Sequence, residues 1–381
     1  MKVVHLCLGA FFPDNYSYQE NMLPKFHKKM GYEVEVIASQ ETFDENGNTS
    51  YTQIAGSYQN ENDIKVTRLK YTSPEKLSHK LKTYIGVYDA IAESKPDIIF
   101  MHNCQFLSIF DVIKYLKKHP EVKIFVDNHV DFSNSAKNFL SKNILHGIIW
   151  KICAKSINKY AEKFYGVLPA RVDFLVNIYG LSKEKCELLV MGADDELIVE
   201  ETLRTQREIK RKEYNIESNT VIMTGGKIDH NKPQTISLMK AINALEGENI
   251  KLLVFGSVVP ELKEEFDAQL SEKVKYIGWK KSEDLYSELS AADIVVFPGL
   301  HSVLWEQTVA MGKPCIFKKI EGFTHVDIGG NCFYFEEDSI EEYKTVIKKA
   351  ISSLEELKQN ATKEERKQFL YSNIARKSIG E

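Results

Sequence analysis

The run Val3-Val4-His5-Leu6-Cys7-Leu8 opens the chain and ends at Gly9. It is almost wholly apolar, which is typical of a strand that is buried on both faces of a parallel sheet. A loop and a helical stretch to Met30 follow, and Gly31 is expected to end that helix. A second strand is predicted at 33–38. This strand-loop-helix-strand order predicts the first half of a doubly wound α/β sheet.

The alternation of strands and helices continues through both halves of the chain. In the first half, further strands are predicted at 96–101, 122–127, 164–168 and 186–190. In the second half they are predicted at 220–224, 251–255, 275–277, 293–297 and 313–317. We expect two Rossmann-like domains of similar size, with loops at the carboxyl ends of their strands and a ligand cleft between them.

The segment between the two halves is polar and has no apolar period, so a linker is predicted there. The predicted organisation is an N-terminal domain at 1–195, a linker at 196–215 and a C-terminal domain at 216–360. A final helix at 361–381 is expected to pack back on the N-terminal domain.

Composition excludes several classes of protein. The 381 residues are 43% apolar, 27% charged and 11% aromatic, which is ordinary for a globular protein and sufficient for two cores. A formal net charge of −4 argues against a nucleic-acid binder. The six cysteines form no CxxC pair, and no apolar run approaches the roughly 18 residues of a membrane span. We therefore expect a cytoplasmic protein in a reducing compartment.

The loop Gly225-Gly226-Lys227-Ile228-Asp229-His230-Asn231-Lys232 carries the clearest chemical pattern. Two glycines are predicted to close a strand, and two lysines five residues apart lead to a helix. Glycines let a phosphate approach the backbone, and two ammonium groups can neutralise a diphosphate. The spacing is equally compatible with a solvated loop that bears two surface lysines.

A second pattern surrounds the predicted helix from Ser302 to Gly312. Ser302 is a preferred N-cap residue, and Gly312 is a preferred residue just after a helix. Free N–H groups near Ser302 and Val303 would favour a diphosphate. Glu306 can accept hydrogen bonds from two vicinal ribose hydroxyls, or is simply an acidic residue of the first turn. Trp305 is expected to pack in the core.

These patterns resemble the retaining glycosyltransferases of the GT-B fold, family 4, also called glycosyl transferases group 1. The resemblance covers nearly the whole chain and is strongest from about residue 220 to 335. Besides the Gly-x-Lys loop it rests on the segments 274–279, 285–286, 292–298 and 312–314 and on the opening strand-loop-helix to Val34.

The resemblance implies a hexosyltransferase that moves a sugar from a nucleotide-sugar, expected to be a UDP-sugar, to a glycan or lipid-linked acceptor with retention. It implies that Lys227 and Lys232 stabilise the leaving diphosphate, which then assists deprotonation of the acceptor. The donor-binding residues are expected to be Gly226, Gly278, His301, Ser302, Val303 and Gln307. The Lys-, Asn- and Ile-rich composition is associated with bacterial surface polysaccharide synthesis, such as capsule or lipopolysaccharide.

The sequence departs from that family at two acidic positions. The family carries two glutamates eight residues apart before the Gly-x-Pro turn, and counting back from Gly312 places Gln307 and Gly299 there. We expect Glu306 to hold the ribose through a one-residue insertion, with Gln307 as the alternative. His301 and Ser302 are the candidates to replace the missing first glutamate, and this departure leaves the donor sugar unspecified.

The N-terminal half contributes a second set of candidates. His129 follows the strand at 122–127 and matches the family's active-site histidine, so the resemblance implies that it orients the sugar. His102 and Asn103 end the neighbouring strand and are secondary candidates. Asn15 and Tyr16 stand where the family has a glycine pair. In the second half, His325 and Asp327 are predicted to form a tight turn near the donor.

No metal-binding pattern of the D-x-D or H-E-x-x-H type is present, so no metal and no cofactor are expected. The Asp194-Asp195 pair is expected to begin the linker. The lysines and the helix end would meet the diphosphate charge.

Lysines at 151, 155, 159 and 163 recur every four residues, and Lys137 and Lys142 precede them. This spacing predicts a basic amphipathic helix in the acceptor half, in contact with anionic lipid on the inner face of the membrane. The alternative is a solvated face of a helix that packs in the core.

Two rival functions stay open. A nucleotide-sugar epimerase has the same fold, and a non-catalytic nucleotide-binding scaffold of a polysaccharide synthase complex would bind nucleotide without turnover. The sequence argues against a dehydrogenase, because no G-x-G-x-x-G follows the first strand.

Overall fold

A computed structural model describes residues 1–44, 48–135, 138–230, 232–247 and 249–381. Lys137 and Asn231, which belong to the two lysine patterns above, lie outside the described residues. The chain divides into a first unit, Met1–Met191 with Tyr371–Glu381, and a second unit, Gly192–Leu370. Each unit is an α/β structure built on its own sheet.

The first unit contains ten strands among its described residues. They are β1 Lys2–Cys7, β2 Glu33–Ser39, β3 Glu41–Phe43, β4 Thr49–Tyr51, β5 Gly56–Gln59, β6 Lys65–Leu69, β7 Ile98–His102, β8 Lys123–Asn128, β9 Ala161–Gly166 and β10 Cys186–Leu188. Eight of them form one sheet in the order β10-β9-β8-β7-β1-β2-β6-β5, in which only β5 is antiparallel to its neighbour. Strands β3 and β4 pair separately.

Helices cover that sheet and bury its faces. They are α1 Gln19–Lys29, α2 Glu75–Leu81, α3 Val87–Ser94, α4 Ile109–Lys118, α5 Trp150–Ile157, α6 Pro169–Asn177 and the C-terminal α14 Tyr371–Ser378. A π-helical stretch, Leu140–Ile149, runs directly into α5. Residues 3–7 of β1 are fully buried, as expected for a central parallel strand.

The second unit holds a six-stranded sheet. Its strands are β11 Thr220–Ile228, β12 Ile250–Val258, β13 Val274–Tyr276, β14 Ile294–Phe297, β15 Cys315–Lys318 and β16 Cys332–Phe335, in the all-parallel order β13-β12-β11-β14-β15-β16. Its α-helices are α7 Glu200–Tyr214, α8 Gln234–Asn243, α9 Pro260–Asp267, α10 Leu285–Ser290, α11 Leu304–Ala310, α12 Ile340–Ser352 and α13 Leu354–Ala361. The predicted fold class, two Rossmann-like parallel-sheet units, is confirmed.

Strand β11 was expected to end at Gly225 but continues to Ile228. A Cβ on Gly225 would lie 2.3 Å from the carbonyl oxygen of Phe255, and one on Gly256 would lie 1.8 Å from that of Gly226. Close approach of β11 and β12 therefore requires these two glycines, whatever binds beyond them.

The prediction of a linker at 196–215 is wrong. The segment contains α7, a 15-residue helix of the second unit. Arg207 donates to the carbonyl oxygens of Ser290, Ala291 and Ala292, and both Arg207 and Arg211 pair with the Asp293 carboxylate. The helix is anchored by charge and hydrogen bonds rather than by an apolar stripe, so an apolar period could not reveal it.

The C-terminal segment divides between the two units. Residues 361–370 belong to the second unit, whereas α14 packs in the first unit, where Tyr371 stacks near Phe26 of α1. Asp194 caps a short 3₁₀ turn, Asp195–Leu197, by accepting from the Glu196 N–H. No helix among the described residues combines the length and apolarity needed to cross a bilayer.

Candidate functional site

Both sheets reverse their strand order at one point, and the candidate residues cluster there. In the first sheet β1 lies between β2 and β7, and in the second β11 lies between β12 and β14. Connections leave such neighbouring strands on opposite faces, which opens a crevice at the carboxyl ends of the strands. The loops after β11 and β14 carry the predicted diphosphate residues, and those after β1, β7 and β8 carry the other set.

The loops after β11 and β14 are in direct contact. A Cβ on Gly299 would lie 3.6 Å from Cβ and Cγ of Lys232 and 3.3 Å from Oε1 of Gln234. The side chain of Lys232 therefore begins beside the loop that leads to α11. The structure brings together one lysine of the predicted phosphate loop and Gly299, five residues before α11 begins.

The two lysines of that loop differ in their surroundings. The side chain of Lys227 is 69% exposed, and its ammonium lies 3.8 Å from the Asp229 carboxylate. Lys232 is half-buried, and among the described residues its ammonium has no carboxylate within 4.0 Å. Burial lowers the pKa of Lys232, and the charge of Asp229 only partly opposes that effect. A bound anion would stabilise the charged form of Lys232.

Helix α11 begins one residue later than expected. Its N-cap position is Val303 and makes no side-chain capping bond, so the prediction of Ser302 as the N-cap is wrong. Ser302 instead contributes its carbonyl oxygen, which accepts from the Trp305 N–H at 3.0 Å. Gly312 follows the helix with φ +71°, as predicted. Trp305 is fully buried and stacks on Phe317, which fits the core role expected for it.

Glu306 lies between two histidines. Its Oε1 accepts from Nε2 of His301 and from Nε2 of His325, each at 2.8 Å. The carboxylate is fully buried, and burial alone would raise its pKa, but the two histidines lower the pKa of Glu306 to about 2. This buried arrangement, named here the His-Glu-His cluster, joins the loops after β14 and β15.

One oxygen of the cluster remains without a partner. Glu306 Oε2 and His325 Nδ1 are buried and make no hydrogen bond among the described residues, and Gln307 is also buried. The ribose role of Glu306, with Gln307 as its alternative, stays a prediction, and only Oε2 has the capacity left to fulfil it.

Two other predicted donor residues are backbone positions. Gly226 and Gly278 have φ +120° and +78°, which non-glycine residues rarely adopt, and nothing lies within 4 Å of a Cβ added to either. Asp327 accepts from the N–H groups of Gly329 and Gly330, so the tight turn predicted after His325 is present.

In the first unit, polar side chains at the ends of β7 and β8 are bonded to one another. Asp127 accepts from His102 Nδ1 at 2.9 Å, from His129 Nε2 at 3.2 Å and from the Asn103 N–H at 2.9 Å. Asn103, at φ +63°, accepts from the His129 N–H. Burial lowers the pKa of His129, but Asp127 and Glu20 outweigh it and leave the pKa raised. The structure thus assembles three predicted residues around Asp127.

Aromatic rings lie near the loop after β1. Asn15, at φ +62°, precedes Tyr16, which is 43% exposed and stacks on Tyr18 with 5.4 Å between ring centroids. Phe43 from β3 lies 5.9 Å from Tyr16. These three residues, Tyr16, Tyr18 and Phe43, form an aromatic cluster in which both tyrosines are exposed.

The sequence reasoning missed Gln19 and Asp127. Gln19 begins α1, is 2% exposed and leaves both side-chain amide atoms without a partner among the described residues. Buried polar groups are normally bonded, so Gln19 is a candidate ligand contact. Asp127 was detectable, because it pairs in register with His102 in adjacent parallel strands.

Two groups of side chains have the composition of a metal site. Glu306, His301 and His325 bring their donor atoms within 4.8 Å of one another, and so do Glu20, His102 and His129. A cavity of about 610 Å³ in the first unit lies elsewhere, at the amino ends of β1, β7 and β8, and no predicted site residue lines it.

The comparisons with known proteins agree with this geometry. Residues 205–368 match the family model described as glycosyl transferases group 1. No curated protein matches the sequence.

Solved structures match over nearly the whole chain. The Anabaena protein HepE in complex with UDP has a TM-score of 0.68 and 16% identity over 99% of this chain and 98% of that chain. WaaG, a glycosyltransferase involved in lipopolysaccharide biosynthesis, has a TM-score of 0.65 and 15% identity over 100% of both chains. The UDP-GlcNAc 2-epimerase from Neisseria meningitidis bound to UDP-GlcNAc has a TM-score of 0.61 and 12% identity over 99% and 98%. The chain therefore has the GT-B fold.

Proposed function

We propose that the protein is a glycosyltransferase that moves a hexosyl group from a UDP-sugar to a glycan or lipid-linked acceptor with retention of configuration. The observation that carries this proposal is the contact between Lys232 and the loop at Gly299, within the segment that matches the group 1 family model. That contact places the base of a lysine side chain, whose ammonium has no carboxylate within 4.0 Å among the described residues, beside the loop that leads to α11.

The diphosphate of the donor is the group that best fits the surroundings of Lys232. Lys232 gains an anionic partner when a diphosphate binds, and Lys227 adds a second, more exposed positive charge. Because negative charge grows on the diphosphate as the glycosidic bond breaks, these lysines stabilise the transition state more than the bound donor. The diphosphate can then take the proton of the attacking hydroxyl. The chemistry requires no metal and no cofactor.

The first unit supplies the groups for the sugar and the acceptor. His129 orients the transferred sugar, with Asp127 and Asn103 fixing its ring and backbone. The rings of Tyr16 and Tyr18 and the free amide of Gln19 suit a glycan, because sugars present both C–H faces and hydroxyl groups.

A lipid-linked acceptor is supported by an apolar face on the first unit. Leu140, Ile144, Ile148 and Ile152 are spaced four residues apart and are 59%, 42%, 54% and 52% exposed. We name these four residues the apolar helix face. Only Lys151 and Lys155 of the predicted lysine row lie on α5, since the helix ends at Ile157 and Lys163 lies in β9.

Exposed apolar residues next to lysines match an anionic membrane surface. We propose that this face rests on the inner leaflet and that the protein is a peripheral membrane enzyme of surface polysaccharide synthesis, such as that of capsule or lipopolysaccharide.

The test is a donor screen with purified protein. UDP-, GDP- and ADP-sugars are incubated with and without a lipid-linked acceptor in excess chelator, and donors, free sugars and products are identified by mass spectrometry and NMR. Transfer from a UDP-sugar with the donor's anomeric configuration supports the proposal. An epimerised donor formed without acceptor would indicate an epimerase instead of a transferase, and nucleotide binding without turnover would indicate a non-catalytic scaffold. Loss of transfer in chelator would overturn the metal-free mechanism.

A further inference from the structure

The His-Glu-His cluster of the second unit brings three side chains to one point from three elements. His301 lies in the loop after β14, Glu306 lies in α11, and His325 lies in the loop after β15. Nε2 of each histidine lies 2.8 Å from the same oxygen, Oε1 of Glu306. The three donor atoms lie within 4.8 Å of one another, so a single small ion can contact all of them.

Hydrogen bonds within the cluster do not use all of its polar atoms. Nε2 of both rings faces Oε1, whereas Oε2 of Glu306 and Nδ1 of His325 are buried and make no hydrogen bond among the described residues. Glu306 is fully buried, and native proteins seldom leave a buried carboxylate oxygen unbonded because that costs free energy. The carboxylate therefore has capacity for a further partner.

A cation is the partner that suits this carboxylate. Within the described part of the chain, the two histidines are the only basic side chains with a nitrogen within 4.0 Å of Glu306, so no ammonium or guanidinium group occupies its second oxygen. A neutral imidazole that carries its proton on Nδ1 presents a lone pair at Nε2. Two such nitrogens and one ionised carboxylate have a net charge of −1 and offer three lone-pair donors.

The chemistry of these donors selects a class of metal. Mg²⁺ and Ca²⁺ take oxygen ligands, whereas imidazole nitrogens suit Zn²⁺ and the neighbouring transition metals. Two histidines and one glutamate with an open fourth position form a recurrent zinc site. Bonds of about 2.1 Å to a tetrahedral ion hold ligand atoms about 3.4 Å apart, so each 2.8 Å contact opens by about 0.6 Å.

Aromatic residues hold the two imidazole rings in place. The ring of His301 packs at 5.1 Å from Trp305 and at 5.3 Å from Phe323, measured between centroids, and His325 lies 6.2 Å from Phe369. Such an apolar shell limits the access of water and strengthens the contacts of a bound ion. Leu300, next to His301, is 56% exposed, so the cluster lies just beneath the surface at this loop.

We propose that the His-Glu-His cluster is a binding site for Zn²⁺ or a similar transition-metal ion. Its ligands are Nε2 of His301, Nε2 of His325 and the carboxylate of Glu306, and one coordination position stays open. The ion joins the loops after β14 and β15. It takes no part in the proposed glycosyl transfer, in which lysines meet the diphosphate.

The site has a consequence for the donor, and this consequence rests on the proposed function. Glu306 is also the predicted ligand of the donor's ribose, so a bound ion and the ribose draw on one carboxylate. Zn²⁺ therefore weakens the binding of the nucleotide and inhibits the enzyme, whereas chelator leaves transfer intact.

The first experiment measures metal binding by the full chain without any nucleotide. Protein freed of metal by chelator is titrated with Zn²⁺ against a chromophoric chelator, and with Co²⁺ followed by its visible absorption. We expect one tight equivalent of either ion and no competition from millimolar Mg²⁺. X-ray absorption at the zinc edge should show two imidazole ligands with oxygen and no sulfur.

Two variants locate the ion. In His301→Gln and His325→Gln the new amide can still donate to Oε1, but one metal ligand is gone. Each should weaken Zn²⁺ binding by roughly 100-fold or more, since loss of a residue that only supports a ligand already costs about 10–100-fold. The matched control is His119→Gln, because His119 lies 3.2 Å from Glu121 in an exposed pair and should leave the affinity unchanged.

Three results would overturn the site. They are a wild-type protein that binds no Zn²⁺, an equal loss of affinity in His119→Gln, and tight binding that persists in both cluster variants. The last result would place the ion elsewhere, as at Glu20, His102 and His129. If neither cluster variant folds, the ligands seen by X-ray absorption decide, and a sulfur ligand or fewer than two imidazoles would contradict the proposal.

The second experiment tests the competition with nucleotide. UDP affinity is measured in a metal buffer that fixes free Zn²⁺ at 100 times its dissociation constant, and the apparent dissociation constant of UDP should rise about 100-fold. In His325→Gln the same buffer should have almost no effect. Unchanged UDP affinity, or an equal loss in the variant, would overturn the shared carboxylate. If UDP does not bind at all, the proposed function fails, while the zinc titration still decides the metal site.

Discussion

The strand ends of the two units use their polar residues in opposite ways. In the first unit the carboxylate of Asp127 accepts three hydrogen bonds, and every ring nitrogen of the buried His5, His27 and His102 has a partner. In the second unit Lys232 has no carboxylate within 4.0 Å among the described residues, and Glu306 leaves one buried oxygen unpartnered.

The difference separates a preorganised surface from one that is completed by a ligand. A network whose members satisfy one another holds His129 rigidly before anything binds. A half-buried ammonium group without a partner costs free energy that an anion recovers on binding. Substitutions in the first unit should therefore alter geometry and pKa values, whereas substitutions in the second should alter affinity for the donor.

The largest effect is expected at the lysines of the second unit. Lys227→Ala with Lys232→Ala should lower kcat/KM by roughly 10²–10³-fold or more, since groups that stabilise developing charge contribute on this scale. Lys232→Ala alone should account for most of that loss, because the side chain of Lys227 is 69% exposed. Steady-state kinetics with the donor identified by the screen measures it.

The control for the lysines is Lys240→Ala with Lys263→Ala. Lys240 lies on α8 and pairs with Glu265 of α9, and Lys263 lies on α9 and pairs with Asp267 of the same helix. If the variant with alanine at 227 and 232 transfers sugar as fast as this control, these two lysines do not bind the donor's diphosphate.

The next effect tests whether the ionised Glu306 carboxylate of the His-Glu-His cluster stabilises the fold, as the hydrogen-bonded Asp127 carboxylate is expected to do in the first unit. The pKa of Glu306 is about 2 in the folded protein against 4.5 for the free group. A lowered pKa stabilises the fold above pH 4.5, and that stabilisation is lost as the pH falls toward 2. Glu306→Gln should therefore cost about 3 kcal/mol at pH 7 and less at pH 3.

Urea unfolding at pH 7, 5 and 3 measures that difference. Glu261→Gln, in the exposed first turn of α9, is the matched control. A cost for Glu306→Gln that is the same at all three pH values would show that its ionisation does not stabilise the fold.

The smallest effect concerns the apolar helix face of the first unit. Ile144→Ser with Ile148→Ser should weaken binding to vesicles of anionic phospholipid by about ten-fold, because apolar area no longer inserts. Flotation against zwitterionic vesicles separates the contribution of charge. The control, Ile54→Ser with Ile85→Ser, changes two isoleucines of the same unit that are at least as exposed on average. Equal flotation of both variants would argue against the apolar helix face as the membrane contact.

Regular alternation made the fold predictable from the sequence. Apolar runs such as residues 3–8 are buried parallel strands, and the loops that follow them place the candidate residues at the points where strand order reverses. Elsewhere, predictions made from local residue types failed because they take no account of tertiary contacts. Polar α7 was mistaken for a linker because Arg207 and Arg211 anchor it through carbonyls and Asp293.

Contacts between distant residues decided the remaining features of the candidate site. Glu306 meets His325 across 19 positions, and His27 meets Ala375 across 348. Ser302 is a favourable N-cap by type, yet the chain continues to Val303 before α11 begins. Residue spacing within a single segment does not reveal such long-range contacts. His102 and Asp127 are different, because they end two neighbouring parallel strands and pair in register.

The most direct test of the account is a crystal structure of the protein soaked with UDP. We predict that the diphosphate lies between the loops after β11 and β14, within hydrogen-bond distance of the Lys232 ammonium and close to the backbone N–H groups of Ser302 and Val303. UDP bound elsewhere, or bound with Lys232 directed into solvent, would contradict the central claim that Lys232 belongs to the donor's phosphates.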